Sequence, residues 1–163
     1  MSVFFVGIDP SLTGTGFIIL NDNAEIVEQQ LISTEKLKDT PHEIEDRLIK
    51  IVDTISTYLK PYNSVIKVVN IESIAYGAKG QKIAEMAALN YIIRIYLYQN
   101  KYVYNTIPPT QLKKFITGTG KCQKNLMLLK CFKKFGIEFS DDNICDAYCL
   151  ARVAYEEYKN ETI

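Results

Sequence analysis

The sequence predicts an α/β fold in one domain spanning residues 1–163: a mixed five-stranded sheet flanked by helices. Three observations carry this. Two apolar runs, at 3–6 and 17–20, are joined by Pro-Ser-Leu-Thr-Gly-Thr-Gly, a turn short enough to require an antiparallel hairpin. A helical pattern separates the third apolar run from the fourth, so the fourth strand returns parallel to the first. Nearly half of the 163 residues are hydrophobic (47%), enough for a single core and too many for disorder.

Taken in order, Val3 to Val6 reads as a buried strand with Asp9 at its end, and Phe17 to Leu20 as its hairpin partner. Residues 25–33 form a third strand after the turn Asn21-Asp22-Asn23, completing an antiparallel meander. Asp39-Thr40-Pro41 opens a helix. Ile44, Leu48, Ile51, Ile55 and Leu59 give it one apolar face, with the intervening charges on a solvated face, until Pro61 stops it. Val65 to Ile71 is the fourth strand and ends in Glu72. A loop over 73–80 leads to a helix over 81–99, apolar enough to be buried on much of its surface. Tyr102 to Ile107 is a short fifth strand, broken by Pro108-Pro109, and a short helix follows to about Thr117. The last helix begins near Asp141, which with Asp142 suits the capping role of acids in a first turn.

Composition excludes several classes. Zero formal net charge argues against a uniformly basic coat for nucleic acid, but not against a local patch. No apolar run approaches a membrane span, and the N-terminus lacks the pattern of a signal peptide, so a cytoplasmic protein without membrane contact is expected. The four cysteines, Cys122, Cys131, Cys145 and Cys149, form no C-x-x-C pair, and His42 is the one histidine. That argues against a zinc site and for reduced, buried thiols.

The chemistry gathers at three acids. Asp9 and Glu72 each end an apolar strand, and parallel pairing sets them side by side at the carboxyl edge of the sheet. Two buried carboxylates repel unless a cation lies between them. Asp9 read alone is equally a turn-capping residue, since Asp-Pro favours turns. Asp146 lies beyond the first turn of the last helix among small apolar residues, where an acid is unfavourable unless paired or coordinating. Asn143 precedes it by three and shares its face. Hard oxygen donors on rigid elements suit magnesium. Between 113 and 134 the chain carries seven lysines and no acid, an asymmetry suited to a phosphate backbone.

In this order, Gly7-Ile8-Asp9-Pro10 with its glycine-rich hairpin, Ile71-Glu72 at a strand end and Asn143-Ile144-Cys145-Asp146-Ala147 resemble the RuvC-type Holliday junction resolvases of the RNase H-like superfamily. The resemblance runs almost end to end and suits a divergent or phage-type member, acting in the host cytoplasm if phage-encoded. It implies a homodimer that cuts branched DNA: four-way junctions, with forks as a further substrate. It implies two Mg2+ ions per site, replaceable by Mn2+, held by Asp9, Glu72, Asn143 and Asp146. The family has Asp or His where Asn143 stands; an amide oxygen is a weaker ligand, and Asp142 is the alternative. Two active-site lysines fall at Lys113 and Lys124. The family's junction-opening aromatic falls at Ala75, with Tyr76 beside it able to stack on a base. Tyr76, Lys79, Lys82, Lys114 and Lys121 are the expected DNA contacts.

The implied reaction is phosphodiester hydrolysis with two ions ~4 Å apart serving the attacking and leaving oxygens. Asp9 bridges the ions and the lysines stabilise phosphate charge. Three other readings compete. An ATP-using enzyme of the actin and sugar-kinase type opens with a similar hairpin but needs two such domains. A branched-DNA-binding protein with weakened catalysis is suggested by Asn143. An RNase H-like RNA-processing nuclease is the third.

Overall fold

The first strand, β1 (Phe4–Asp9), runs through the sheet centre and ends on the acid. It pairs antiparallel with β2 (Thr15–Leu20), with Asp9 opposite Gly16, and β2 pairs antiparallel with β3 (Ile26–Ile32). On its other side β1 pairs parallel with β4 (Ile66–Glu72), which pairs parallel with β5 (Tyr104–Ile107). The sheet order is β3-β2-β1-β4-β5. This computed structural model describes residues 2–36, 41–74, 80–121 and 124–161, and of these all side chains except those of residues 81, 82, 124 and 125. The mixed sheet and the parallel return of β4 agree with expectation. Tyr102 precedes β5, which is shorter than the sequence suggests.

Two helices cover one face of the sheet. Helix α1 (Glu43–Leu59) begins after His42, whose backbone is left-handed (φ 69°). Asp39 and Thr40 of the expected start lie outside the described residues. Lys60–Tyr62 adds a single 3-10 turn at Pro61. Helix α2 (Gln81–Gln99) lies beside α1, and Leu89, Ile93 and Leu97 join Ile51, Ile55 and Leu59 against Val6, Ile8 and Phe17.

Two expectations fail on this face. Arg47 is not on a solvated side of α1; it is 8% exposed. Its guanidinium donates to Thr34 Oγ1, to the Leu12 carbonyl and to Glu43. Burial of that charge is compensated because its bonds close on the β1–β2 turn, on the segment after β3 and on its own helix. Nor is α2 buried on much of its surface. Tyr91, Ile95 and Tyr98 are 55%, 52% and 75% exposed. An all-round apolar helix reads as buried from sequence, but α2 meets the sheet along one side only.

The other face carries α3 (Pro109–Thr117), α4 (Lys124–Phe135) and α5 (Asp142–Glu161). Helix α5 lies directly on β1, β2 and β4. A Cβ at Gly7 would stand 1.9 Å from the Ala147 carbonyl oxygen, and one at Gly16 would stand 2.0 Å from that of Asn143. Only glycine permits this approach of backbone to backbone. Ala147 and Ala151 keep the helix side of the contact small. Asn70, buried in β4, donates to the Leu150 carbonyl and fixes the helix along its length.

Candidate active site

Each acid arrives on an element that the sequence makes rigid. Ile8 pairs with Ile71 across the parallel ladder, so the next residues, Asp9 and Glu72, leave the sheet together. Asp9 is 7% exposed and Glu72 is half-buried. The β1–β2 turn behind Asp9 is closed by Thr15, whose Oγ1 donates to the Ser11 carbonyl at 2.7 Å and accepts from the Ser11 N–H at 3.0 Å. Asn90 of α2 donates to the Glu72 carbonyl at 2.8 Å, and the Ser73 N–H donates to the Ile107 carbonyl at 2.9 Å. Both bonds hold the exit from β4.

Helix α5 supplies the rest. Asp141 is its cap: one carboxylate oxygen accepts from the N–H groups of Asn143 and Ile144 at 2.9 and 3.1 Å. Of the two acids considered for that role, Asp141 fills it, and Asp142 turns instead to the cleft. Gly16 both faces Asp9 in the β1–β2 register and underlies the Asn143 carbonyl, so one glycine sets the first turn of α5 over the end of β1.

The result is a cleft of about 260 Å³ lined by Asp9, Glu72, Asp142, Asn143, Asp146 and Lys113, with Pro10, Pro109, Met127, Leu128 and Cys145 completing its walls. Four acids, from three separate stretches of the sequence, thus border one cavity. A second hollow, of about 210 Å³, shares Pro10, Glu72 and Pro109 and extends past Ser73 towards Ile83 of α2. The Cys145 thiol is held well above the usual thiol range, first by its hydrogen bond to Cys131, and in part by the negative charge of Asp146.

The donor set fits hard divalent cations. Carboxylate and amide side chains on fixed backbone line one cleft. Both Asn143 and Asp142 border the cleft, so each remains placed to complete the set.

The lysines divide. Lys113, at the middle of α3, reaches the cleft wall. Lys114 and Lys121 are exposed and do not line the cleft. Lys124 opens α4 and Lys82 lies in the first turn of α2, but their side chains are outside the described residues, as are Tyr76 and Lys79 altogether. Met127 and Leu128 were not foreseen as wall residues. Their signal is weak in sequence, because apolar residues of an amphipathic helix read first as core.

The model of the family RuvC, crossover junction endodeoxyribonuclease, matches residues 5–153. A crossover junction endodeoxyribonuclease RuvC from Helicobacter hepaticus is 24% identical over 160 residues, covering 97% of this chain and 85% of the relative. One from Sulfurovum sp. is 26% identical over 148 residues, covering 90% and 91%. Among solved structures, T. thermophilus RuvC in complex with Holliday junction substrate matches with a TM-score of 0.77 at 15% identity, over 97% of this chain and 96% of that one. A fowlpox virus Holliday junction resolvase matches at 0.52 and 15% identity, over 96% and 99%. These structural likenesses concern the fold, which is RNase H-like.

Proposed function

The chain belongs to the RuvC family of crossover junction endodeoxyribonucleases, and from that premise we propose that its cleft cuts four-way DNA junctions by metal-dependent phosphodiester hydrolysis. The observation that carries the reading is the meeting of Asp9, Glu72 and Asp146 in one cleft beside Lys113. A surface of hard oxygens with one cation at its wall is made for a phosphate held through divalent ions.

Asp9, Glu72, Asp146 and the Asn143 amide would hold two Mg2+ ions, with Mn2+ able to replace them. When bound, the ions supply an activated water and stabilise the leaving oxygen. The chain's own groups do the rest. Asp9, buried at the end of β1, would hold metal together with Glu72 of β4 and Asn143 and Asp146 of α5. Lys113, which lines the cleft, places positive charge on the scissile phosphate. Lys124, at the start of α4, would add a second positive charge to that phosphate, as the family resemblance implies. Lys82, Lys114, Lys121, Lys79 and Tyr76 track the backbone of the arms, with Tyr76 stacking on an opened base.

The working unit is a homodimer of one-domain subunits. A four-way junction presents two equivalent strands to be cut, and a two-fold pair of clefts matches that symmetry. The outward face of α2, with Tyr91, Ile95 and Tyr98 in the solvent of a lone chain, supports pairing with a second copy. Among the described residues no helix is long and apolar enough to cross a membrane; a nuclease acting on junction DNA would work in the cytoplasm.

The test is cleavage of four-way, forked and linear duplex DNA with and without Mg2+. Metal-dependent paired cuts in the four-way junction are expected, with weaker cutting of forks and none of linear duplex. Binding without cleavage at saturating metal would identify a catalytically weakened branched-DNA-binding protein. Preferential cutting of RNA would identify a processing nuclease.

A further inference from the structure

Three of the four cysteines meet in the interior between α4 and α5. Cys131 lies on α4; Cys145 and Cys149 lie four apart on α5 and so share a face. All three are fully buried. Their sulfurs lie within 4.8 Å of one another, and the Cys149 Sγ stands 3.8 Å from that of Cys131. A disulfide requires about 2.05 Å, so these are thiols. Sulfurs bound at about 2.3 Å to one trigonal or tetrahedral ion stand about 4 Å apart, which is the spacing found here to within a small side-chain adjustment.

We propose that Cys131, Cys145 and Cys149 form a site for one thiophilic metal ion, of the Zn2+ or Cu+ class, that ties α4 to α5 behind the cleft. Soft sulfur donors select such ions over Mg2+, so this site and the carboxylate cleft draw on different metals although Cys145 adjoins Asp146. Binding displaces the three thiol protons to solvent and leaves a net negative centre. Two cations stand near to offset it. The Cys131 thiol is drawn below the usual range first by hydrogen bonds with Cys145 and Cys149 and then by the charges of Arg152 and Lys134, while the same contacts push the other two thiols above it. Arg152, paired with Glu156, is held beside the cluster with its guanidinium over the Phe135 ring at 4.4 Å, and its buried Nε has no hydrogen-bond partner among the described residues.

The sequence argued against a zinc site because it has no C-x-x-C pair. The fold builds the trio differently, from an i,i+4 pair on one helix and a third residue on its neighbour. A site assembled across two helices leaves no local spacing to read.

The experiment titrates the reduced, full-length chain with Cd2+ under anaerobic, Mg2+-free conditions and follows thiolate-to-metal charge-transfer absorption in the ultraviolet. Cd2+ on carboxylates gives no such band. One band saturating at one ion per chain is expected, unchanged in Cys122→Ser and in Asp9→Asn and lost in Cys131→Ala and Cys149→Ala. Displacement by Zn2+ or by Cu+ then identifies the preferred ion. Should the alanine variants fail to fold, the stoichiometry of the native chain and the Cys122→Ser result still decide. A folded chain with no band, a band that survives Cys131→Ala, or one that Cys122→Ser abolishes overturns the proposal and leaves the nuclease reading untouched.

Discussion

Helices α5 and α2 are of nearly equal length and sit on opposite faces of one sheet, yet they use their apolar residues in different ways. Helix α5 buries Ile144, Ala147, Leu150, Ala151 and Ala154, and its backbone touches β1 and β2 through Gly7 and Gly16. Helix α2 buries Leu89, Ile93 and Leu97 but leaves Tyr91, Ile95 and Tyr98 in solvent. The first arrangement fixes a position to a fraction of an ångström, as a catalytic acid requires. The second leaves a surface that another molecule can cover. Small residues, not large ones, distinguish the helix that positions chemistry.

The sharpest way to break this contrast is to remove charge where α5 delivers it. Asp146→Asn and Asp9→Asn keep the fold and junction binding but reduce cleavage by about 10³-fold or more, read as product formed per unit time on a four-way junction. An unchanged rate in either variant removes that acid from the chemistry.

Next in size is the contact beneath α5. Gly16→Ala drives a methyl into the Asn143 carbonyl, with an expected loss of about 3 kcal/mol in denaturant unfolding. Gly120→Ala, where the nearest atom is the Thr110 carbonyl oxygen at 3.4 Å, is the control and changes stability by under about 0.5 kcal/mol. Equal effects at the two glycines would deny the close approach its special role.

On α2, the pair Tyr91→Lys and Ile95→Asp leaves the fold intact and weakens self-association by about 30-fold, measured by sedimentation. Paired cuts then give way to single nicks. The smallest effect concerns the amide ligand: Asn143→Asp lowers the Mg2+ concentration for half-maximal cleavage by about tenfold. No change there, with a large loss in Asp142→Asn, transfers the ligand role to Asp142.

Much of this was legible in the chain because strands that end in acids are local patterns. Asp9 and Glu72 are adjacent once β4 is known to run parallel to β1, and the helix between them dictates that. The turn of α5 carrying Asn143 and Asp146 reads from spacing alone. What escaped the sequence was tertiary. Arg47 looks like any surface charge until the β1–β2 turn closes over it. The exposed side of α2 is indistinguishable from its buried side by residue type. Met127, Leu128 and the three thiols join the cleft region only because α4 folds back against α5, and no periodicity announces which helix will be its neighbour.

One cation-binding locus at the carboxyl edge of the sheet underlies the proposed chemistry. Crystals of the chain soaked in Mn2+ and measured at the manganese absorption edge test it directly. The account predicts anomalous peaks within coordination distance of Asp9, Glu72 and Asp146, two where both ions bind. A well-occupied peak elsewhere, with none among these carboxylates, would contradict it.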